Sequence, residues 1–62
     1  MKRHALIDHL RSQGCRLERE GARHSGYVNP ANGAKAPAPR HAEIDNRLAR
    51  KIYQQLGIPL IP

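Results

Sequence analysis

The segment around His24 carries the residues best suited to chemistry in this chain. His24 follows Arg23 and the small residues Gly21 and Ala22, and Arg19 lies shortly before them. A histidine with its ordinary pKa of about 6.5 can accept a proton at neutral pH, and an arginine can stabilise the negative charge that develops on a phosphate. The segment is therefore suited to proton transfer beside a phosphate group, such as removal of the proton from an RNA 2′-hydroxyl, but its residues alone do not favour catalysis over a histidine without function.

The direction of the His24 side chain depends on which residue of its strand is buried. Because side chains alternate between the two faces of a strand, burial of Tyr27 places His24 on the opposite, open face. Burial of Val28 instead turns His24 into the core. A packed core histidine and a surface histidine without function are therefore the alternatives to a catalytic one.

Other chemistries find little support in the sequence. Cys15 is the one cysteine, which excludes an internal disulfide, and its place on a strand with Leu17 predicts a small core residue rather than a nucleophile. Neither CxxC nor HExxH occurs, and the four histidines share no helical face with a carboxylate at metal-ligand spacing. The glycines form no phosphate-binding GxGxxG or GxxxxGK loop. We therefore expect no metal and no cofactor.

The length, charge and hydropathy of the chain limit the number of domains, the kind of partner and the cellular location. The 62 residues allow one domain, residues 1–62, and folding of so short a chain hides only about 60% of its surface. Lys and Arg number 11 against 5 Asp and Glu, and the formal net charge of +6 favours polyanionic partners, with basicity for solubility alone as the alternative. No apolar run approaches the roughly 20 residues of a membrane span, and no apolar signal-peptide stretch follows Met1. We therefore expect a cytoplasmic protein without membrane contact.

The N-terminal third of the chain has the pattern of a helix followed by a strand. Apolar residues at three- and four-residue spacing predict a helix over 2–13, which a glycine then ends. The next residues change to a period of two, with Cys15, Leu17 and Arg19 on one face of a predicted strand. Leu17 is therefore expected in the core.

Two further strands are predicted in the middle of the chain. A strand over 24–28 leads into the turn residues 29–33, where Asn, Pro and Gly are concentrated. The third strand is short, about Ala34 to Ala36 or Ala38, because prolines lack the N–H that a central strand donates. It therefore ends early or lies on an edge of the sheet.

The clearest helix lies near the C-terminus. Asp45 or Asn46 offers a side-chain oxygen to cap it, and Gly57 ends it with Ile58 placed to contact the helix again. The apolar tail Leu60-Ile61 is expected to pack over the small core, with a partner surface as the alternative. The apolar stripe predicted to face the core is Leu48, Ala49, Ile52, Tyr53 and Leu56.

The order of these elements predicts the fold class. One helix, three strands and a second helix with short connections favour an α+β fold of two layers. In this fold a three-stranded antiparallel sheet carries both helices on one face.

Several short motifs follow one another along almost the whole chain. They are Gly14-Cys15 after a short amphipathic helix, Gly21-Ala22-Arg23-His24-Ser25, Tyr27-Val28-Asn29-Pro30, Pro39-Arg40-His41-Ala42-Glu43-Ile44, and Leu48-Ala49-Arg50-Lys51-Ile52 with Leu56-Gly57-Ile58. Each is weak alone, but the ordered set resembles the HicA toxins, the ribonuclease members of HicA–HicB toxin–antitoxin pairs.

This resemblance implies a fold, an activity and a partner. The fold is that of the double-stranded-RNA-binding domain, in α-β-β-β-α order. The activity is endonucleolytic cleavage of messenger RNA without the ribosome, as an mRNA interferase. The partner is a HicB-type antitoxin, with the free toxin expected to be a monomer and the complex a hetero-oligomer.

The family's essential histidine maps onto His24. Members of the family commonly have Gly-Ser-His-His or Gly-Gly-x-His at this point, whereas this chain has Gly21-Ala22-Arg23-His24. The second glycine is thus Ala22, which adopts a positive φ less readily than glycine does. The resemblance therefore assigns the catalytic role to His24 but carries no claim about the geometry of the turn.

Basic side chains near His24 are predicted to contact RNA phosphates, with an ordinary solvated surface as the alternative. The set is Arg19, Arg23, Lys35, Arg40 and His41. For His41 phosphate binding ranks first. The alternatives are a role as general acid, if the third strand brings it near His24, and capping of the loop before the last helix. Aromatic residues make up only 3% of the chain, so strong base specificity through stacking is not expected.

Two other functions compete with ribonuclease activity. A non-catalytic RNA-binding module of the same fold holds RNA by shape and phosphate contact, and it does not need His24. A helix-based DNA binder using Arg47, Arg50 and Lys51 is a third hypothesis, which the strand-rich middle of the chain argues against.

Overall fold

The computed structural model describes residues 1–59, and they form two helices and three strands in the predicted order. The elements are α1 (Arg3–Ser12), β1 (Arg16–Glu20), β2 (His24–Asn29), β3 (Ala34–Pro39) and α2 (Asn46–Leu56). This is the α-β-β-β-α order of the predicted α+β fold. The predicted tail contact of Leu60-Ile61 lies outside the described residues.

The three strands form one antiparallel sheet with β2 at its centre. The connection from β2 to β3 is a tight turn, in which the Gly33 amide donates to the Asn29 carbonyl oxygen at 2.8 Å. Gly33 has a φ of 73° there, a conformation that glycine adopts without strain. The turn chemistry of this segment therefore sets the register of the second hairpin.

Strand β3 is longer than the sequence predicts, and it lies on an edge. It continues through Pro37 to Pro39 instead of ending near Ala36 or Ala38. In an antiparallel edge strand, alternate residues direct their N–H groups towards the neighbouring strand and away from it. Pro37 and Pro39, which have no N–H, occupy the positions that face away from β2. Two prolines are thus compatible with a paired strand, because only its outer side lacks donors.

Both ends of α2 match the prediction. The Asp45 side chain accepts a hydrogen bond from the Arg47 amide at 2.7 Å and caps the N-terminus. Gly57 takes the left-handed conformation, and the Ile58 amide donates to the Tyr53 carbonyl oxygen at 3.0 Å. This closing turn brings Ile58 back onto the core.

The core lies between one face of the sheet and the two helices. Leu6 and Leu10 of α1, Ile52 and Leu56 of α2 and Tyr27 of β2 are buried in one hydrophobic cluster. Helix α1 also contacts α2 through an edge-to-face pair of His9 and Tyr53, whose ring centroids are 4.8 Å apart. Both helices thus share one face of the sheet, as predicted.

Two leucines that the sequence places in the core are exposed. Leu17 is 45% exposed because its strand, β1, lies at the edge of the sheet and is exposed along its whole length. Leu48 is 37% exposed because the buried stripe of α2 starts at the next residue, Ala49, about 100° around the helix. The core is therefore smaller than the apolar pattern predicts.

The start of α1 is tied to the segment before α2. Arg3 donates its amide to the Ala42 carbonyl oxygen at 2.8 Å, and Ile44 donates to the Met1 carbonyl oxygen at 2.8 Å. The Lys2 ammonium lies 2.6 Å from the Glu43 carboxylate.

No helix within residues 1–59 is long and apolar enough to cross a membrane.

Candidate functional site

Strand β2 separates its side chains cleanly between two faces of the sheet. Ser25, Tyr27 and Asn29 are buried on the side of the helices, whereas His24 is exposed on the other side. Within residues 1–59 no helix covers that second side, which we call the open face. The open face is formed by Arg16, Glu18, Arg19, His24, Gly26, Val28, Lys35 and Pro37. The prediction that burial of Tyr27 directs His24 to the open face is confirmed.

A β-bulge in β1 changes which of its side chains reach the open face. Leu17 pairs with Tyr27, but the next pair is Arg19 with Gly26, so Glu18 is an extra residue in β1. The prediction that Leu17 and Arg19 share a face is therefore wrong. The bulge places Arg19 on the open face beside Glu18 and directs the following residue, Glu20, towards the helices.

A hollow of about 350 Å³ lies in the middle of the open face. Its floor is at Gly26, the third residue of the central strand, and a Cβ there would lie 3.3 Å from the Arg19 Cβ. The hollow therefore exists because β2 has no side chain opposite the bulge. Arg19, His24 and Lys35 line it together with Pro37. This hollow was not predicted from the sequence, although a glycine inside an alternating strand was the available signal.

An ion pair crosses the hollow from one edge of the sheet to the other. The Lys35 ammonium on β3 lies 3.1 Å from Glu18 Oε1 on β1, although β2 separates the two strands. Both side chains also line the hollow. One of the two basic side chains in the hollow is thus partly neutralised within the protein itself.

The remaining predicted RNA contacts lie outside the hollow, at the end of the sheet where His24 begins β2. Arg40 Nη1 donates to the Gly21 carbonyl oxygen at 2.9 Å and lies 3.5 Å from Glu20 Oε1. The Arg40 amide donates to the Arg23 carbonyl oxygen at 3.3 Å. Arg40 therefore holds the turn between β1 and β2. Arg23 and His41 are exposed near this turn and do not line the hollow.

The turn before His24 depends on Gly21. Its amide donates to the His24 carbonyl oxygen at 2.9 Å, and a Cβ on Gly21 would lie 2.9 Å from that same oxygen. Ala22 is exposed, and no residue other than glycine in residues 1–59 has a positive φ. The turn thus needs a glycine at position 21, because the His24 carbonyl oxygen lies too close for a side chain there. Alanine is accepted at position 22.

A polar network on the helix side supports the strands that flank His24. Arg3 of α1 donates from Nε to the Pro39 carbonyl oxygen at 2.9 Å and from Nη2 to Ser25 Oγ at 3.1 Å. Ser25, which is fully buried, donates in turn to Glu20 Oε1 at 2.6 Å. Pro39 pairs with His24 across the sheet, and Ser25 is its neighbour in the chain. The network therefore fixes the backbone on both sides of His24.

This network could not be predicted from the sequence, because its members are far apart in the chain. Arg3 had no assigned role beyond the start of a helix. The charge of Glu20 suits a solvated surface equally well. Among the described residues, no buried side-chain nitrogen or oxygen lacks a hydrogen-bond partner, and the buried Ser25 hydroxyl both accepts and donates in this network.

Cys15 has the properties of a core thiol, as predicted. It is buried in the core cluster, and burial raises the pKa of its thiol because it disfavours the thiolate. Within residues 1–59 no three metal-ligating side chains of the His, Cys, Asp and Glu types come close enough to hold a metal ion. On the open face, charged groups and a histidine lie together around a cavity.

Comparison of the chain with models of known protein families, with characterised proteins and with solved structures gives no significant match. The fold and the open face define a small α+β protein with a basic, partly hollowed sheet surface. The resemblance to HicA toxins rests on the ordered motifs of the sequence.

Proposed function

We propose that this protein is an endoribonuclease toxin similar to HicA, and that RNA binds on its open face. One observation carries the proposal: His24 is exposed at a hollow that it shares with Arg19 and Lys35. The formal net charge of +6 favours the approach of RNA from solution. The RNA is messenger RNA, as the resemblance implies.

His24 acts as the general base. Its neutral imidazole accepts the proton of an RNA 2′-hydroxyl, and the 2′-oxygen attacks the adjacent phosphorus. The bond from phosphorus to the 5′-oxygen of the next nucleotide breaks, which leaves a 2′,3′-cyclic phosphate and, after protonation, a 5′-hydroxyl end. Arg19 and Lys35 lie where they can stabilise the charge that develops on the phosphate.

The flanking basic side chains bind neighbouring phosphates. Arg23, Arg40 and His41 extend the positive surface beyond the hollow, at the end of the sheet where β2 begins. Contacts of this kind set affinity rather than sequence preference. His41 is also the candidate for the general acid that protonates the leaving 5′-oxygen.

A HicB-type antitoxin neutralises the toxin by covering the open face. An antitoxin that binds only the folded toxin also stabilises it, by an amount that grows with antitoxin concentration. This stabilisation matters because the core of so short a chain is small. The free toxin is a monomer in the cytoplasm, and the complex is a hetero-oligomer.

The deciding experiment compares His24→Ala with a matched variant, His4→Ala. His4 is an exposed histidine on α1, away from the open face. We expect the wild-type chain and His4→Ala to arrest growth on induction and to cleave purified RNA in EDTA, with cyclic-phosphate ends. We expect His24→Ala to lose cleavage by at least about 100-fold while keeping RNA binding.

Two results overturn the ribonuclease proposal. If wild type and His24→Ala bind RNA equally and neither cuts it, the protein is the non-catalytic RNA-binding module. If cleavage requires a divalent metal and leaves 5′-phosphate ends, a different chemistry operates and His24 is not the base.

A further inference from the structure

The ion pair between Glu18 and Lys35 has an unusual position for a surface ion pair. Adjacent strands lie about 4.8 Å apart, so the two side chains bridge about 10 Å of sheet, from one edge strand to the other. They meet over β2, where Gly26 contributes no side chain. Strand alternation from Arg16 places Glu18 on the open face, and the bulge brings Arg19 to the same face beside it.

This ion pair places a negative charge inside a basic hollow. The Glu18 carboxylate lies 3.1 Å from the Lys35 ammonium and forms an ion pair with it. A phosphate oxygen of RNA would bind the same ammonium group. Both side chains remain solvent-exposed, at 44% for Glu18 and 63% for Lys35. An exposed pair of this kind is weak, so an RNA phosphate can displace the carboxylate.

We infer that Glu18 is an internal competitor of the RNA phosphate for Lys35, and that it limits the affinity of the open face for RNA. In the free protein Lys35 is paired with Glu18. In the RNA complex a phosphate oxygen takes the place of the carboxylate, and Glu18 turns to solvent. The inference rests on the proposed binding of RNA to the open face, but not on cleavage.

The prediction is a gain of affinity on removal of the competitor. Glu18→Gln keeps the shape of the side chain and removes its charge, so Lys35 is free in the unbound protein. We expect this variant to bind RNA about two- to five-fold more tightly at low salt, the range that corresponds to the loss of one exposed ion pair. The gain becomes smaller as salt screens the pair.

The matched control is Glu43→Gln. Glu43 forms an exposed ion pair with Lys2 at 2.6 Å, and its side chain is 62% exposed. Both variants raise the net charge by one, but Glu43 is not on the open face. A general effect of charge changes both variants equally, whereas competition for Lys35 changes only Glu18→Gln.

A double-mutant cycle tests whether Glu18 acts through Lys35. Binding of a 2′-O-methyl RNA oligonucleotide, which offers no 2′-hydroxyl for attack, is measured for Glu18→Gln, for Lys35→Met and for the double variant. We expect Glu18→Gln to tighten binding in the wild-type background and to have little effect in the Lys35→Met background. Circular dichroism checks that each variant is folded.

Three outcomes overturn the inference alone while the wild-type chain binds RNA. Glu18→Gln binds no more tightly than wild type, or Glu43→Gln gains as much, or the gain persists without Lys35. If the wild-type chain does not bind the oligonucleotide at all, the inference and the binding step of the proposed function fail together.

Discussion

The two faces of the sheet arise from alternate residues of the same strands, yet they have opposite roles. On the helix side Tyr27 packs in the core, and Ser25 and Asn29 are buried with their polar groups paired. On the open face His24 and Lys35 are exposed around a hollow. The fold is thus stabilised on one side of β2, and the side available to a ligand contributes little to it.

This division means that stability and binding can be changed separately. Residues of the open face can carry unfavourable charge and an unfilled hollow because the core does not depend on them. The hydrogen bonds of Arg3 to Pro39 and Ser25 link the two faces, because they lie on the helix side but restrain the backbone next to His24.

The largest loss of stability is expected from a substitution in the core, on the helix side of the sheet. Leu56 is fully buried at the end of α2, so Leu56→Ala should lower the free energy of unfolding by about 2–5 kcal/mol, through lost burial and the cavity left behind. In a chain of this size that loss is enough to unfold much of the protein. Urea or thermal unfolding followed by circular dichroism measures it.

The control for this variant is Leu48→Ala, in the same helix and with the same change of side chain. Leu48 is 37% exposed and is not part of the core cluster, so we expect a loss of less than about 0.5 kcal/mol. Equal losses for the two leucines would show that α2 does not pack as described.

An intermediate loss of stability is expected when the side-chain hydrogen bonds of Arg3 are removed. Arg3→Met removes the donors to Pro39 and Ser25, and the buried Ser25 hydroxyl loses a partner. We expect a loss of about 1–3 kcal/mol in the free energy of unfolding. RNA cleavage should also slow under conditions in which the variant remains folded, because the strands that hold His24 become less restrained.

Lys2→Met is the control for Arg3, since Lys2 is the neighbouring cation and makes only an exposed ion pair with Glu43. We expect Lys2→Met to unfold at the same urea concentration as wild type, because this ion pair is exposed to solvent. If Arg3→Met cleaves RNA at the wild-type rate despite reduced stability, the network has a structural role only.

The smallest effect on stability is expected on the open face. Arg19→Met should leave the free energy of unfolding within about 0.5 kcal/mol of wild type, because Arg19 is exposed. The same variant should reduce the slope of log affinity against log salt for single-stranded RNA by about 0.7, the value for one phosphate contact.

Arg50→Met, on the exposed side of α2, is the control for Arg19. We expect it to leave that slope unchanged. A slope that falls for Arg50→Met and not for Arg19→Met would place the RNA on α2 and exclude the open face as the binding surface.

Most of the fold is local in origin and could be predicted. The end of α1 at Gly14, the cap at Asp45 and the closing turn at Gly57 depend on residues close together in the chain. The direction of His24 followed from the burial of Tyr27 on the same strand. Period and turn residues are sufficient for features of this kind.

The features that were missed depend on pairing between distant segments. The bulge at Glu18 interrupts an alternation that the sequence shows as continuous, and it forms against Gly26 of the neighbouring strand. The length of β3 depends on which side of each proline faces β2. The exposure of Leu17 follows from the position of β1 at an edge, which strand periodicity does not determine.

The candidate site was predictable in its residues but not in its geometry. His24, Arg19 and Lys35 were singled out by type and position, and the structure brings these three together at one hollow. The pairing of Lys35 with Glu18, and the engagement of Arg40 with Gly21 and Glu20, required the tertiary structure.

The prolines of β3 also affect how molecules of this protein behave at high concentration. A strand at a sheet edge can pair with another chain and start aggregation, but Pro37 and Pro39 leave the outer side of β3 without a continuous row of donors. Growth of intermolecular sheets by strand pairing is therefore directed to β1. There the charges of Arg16, Glu18 and Glu20, together with the bulge, oppose a flat, in-register contact between copies.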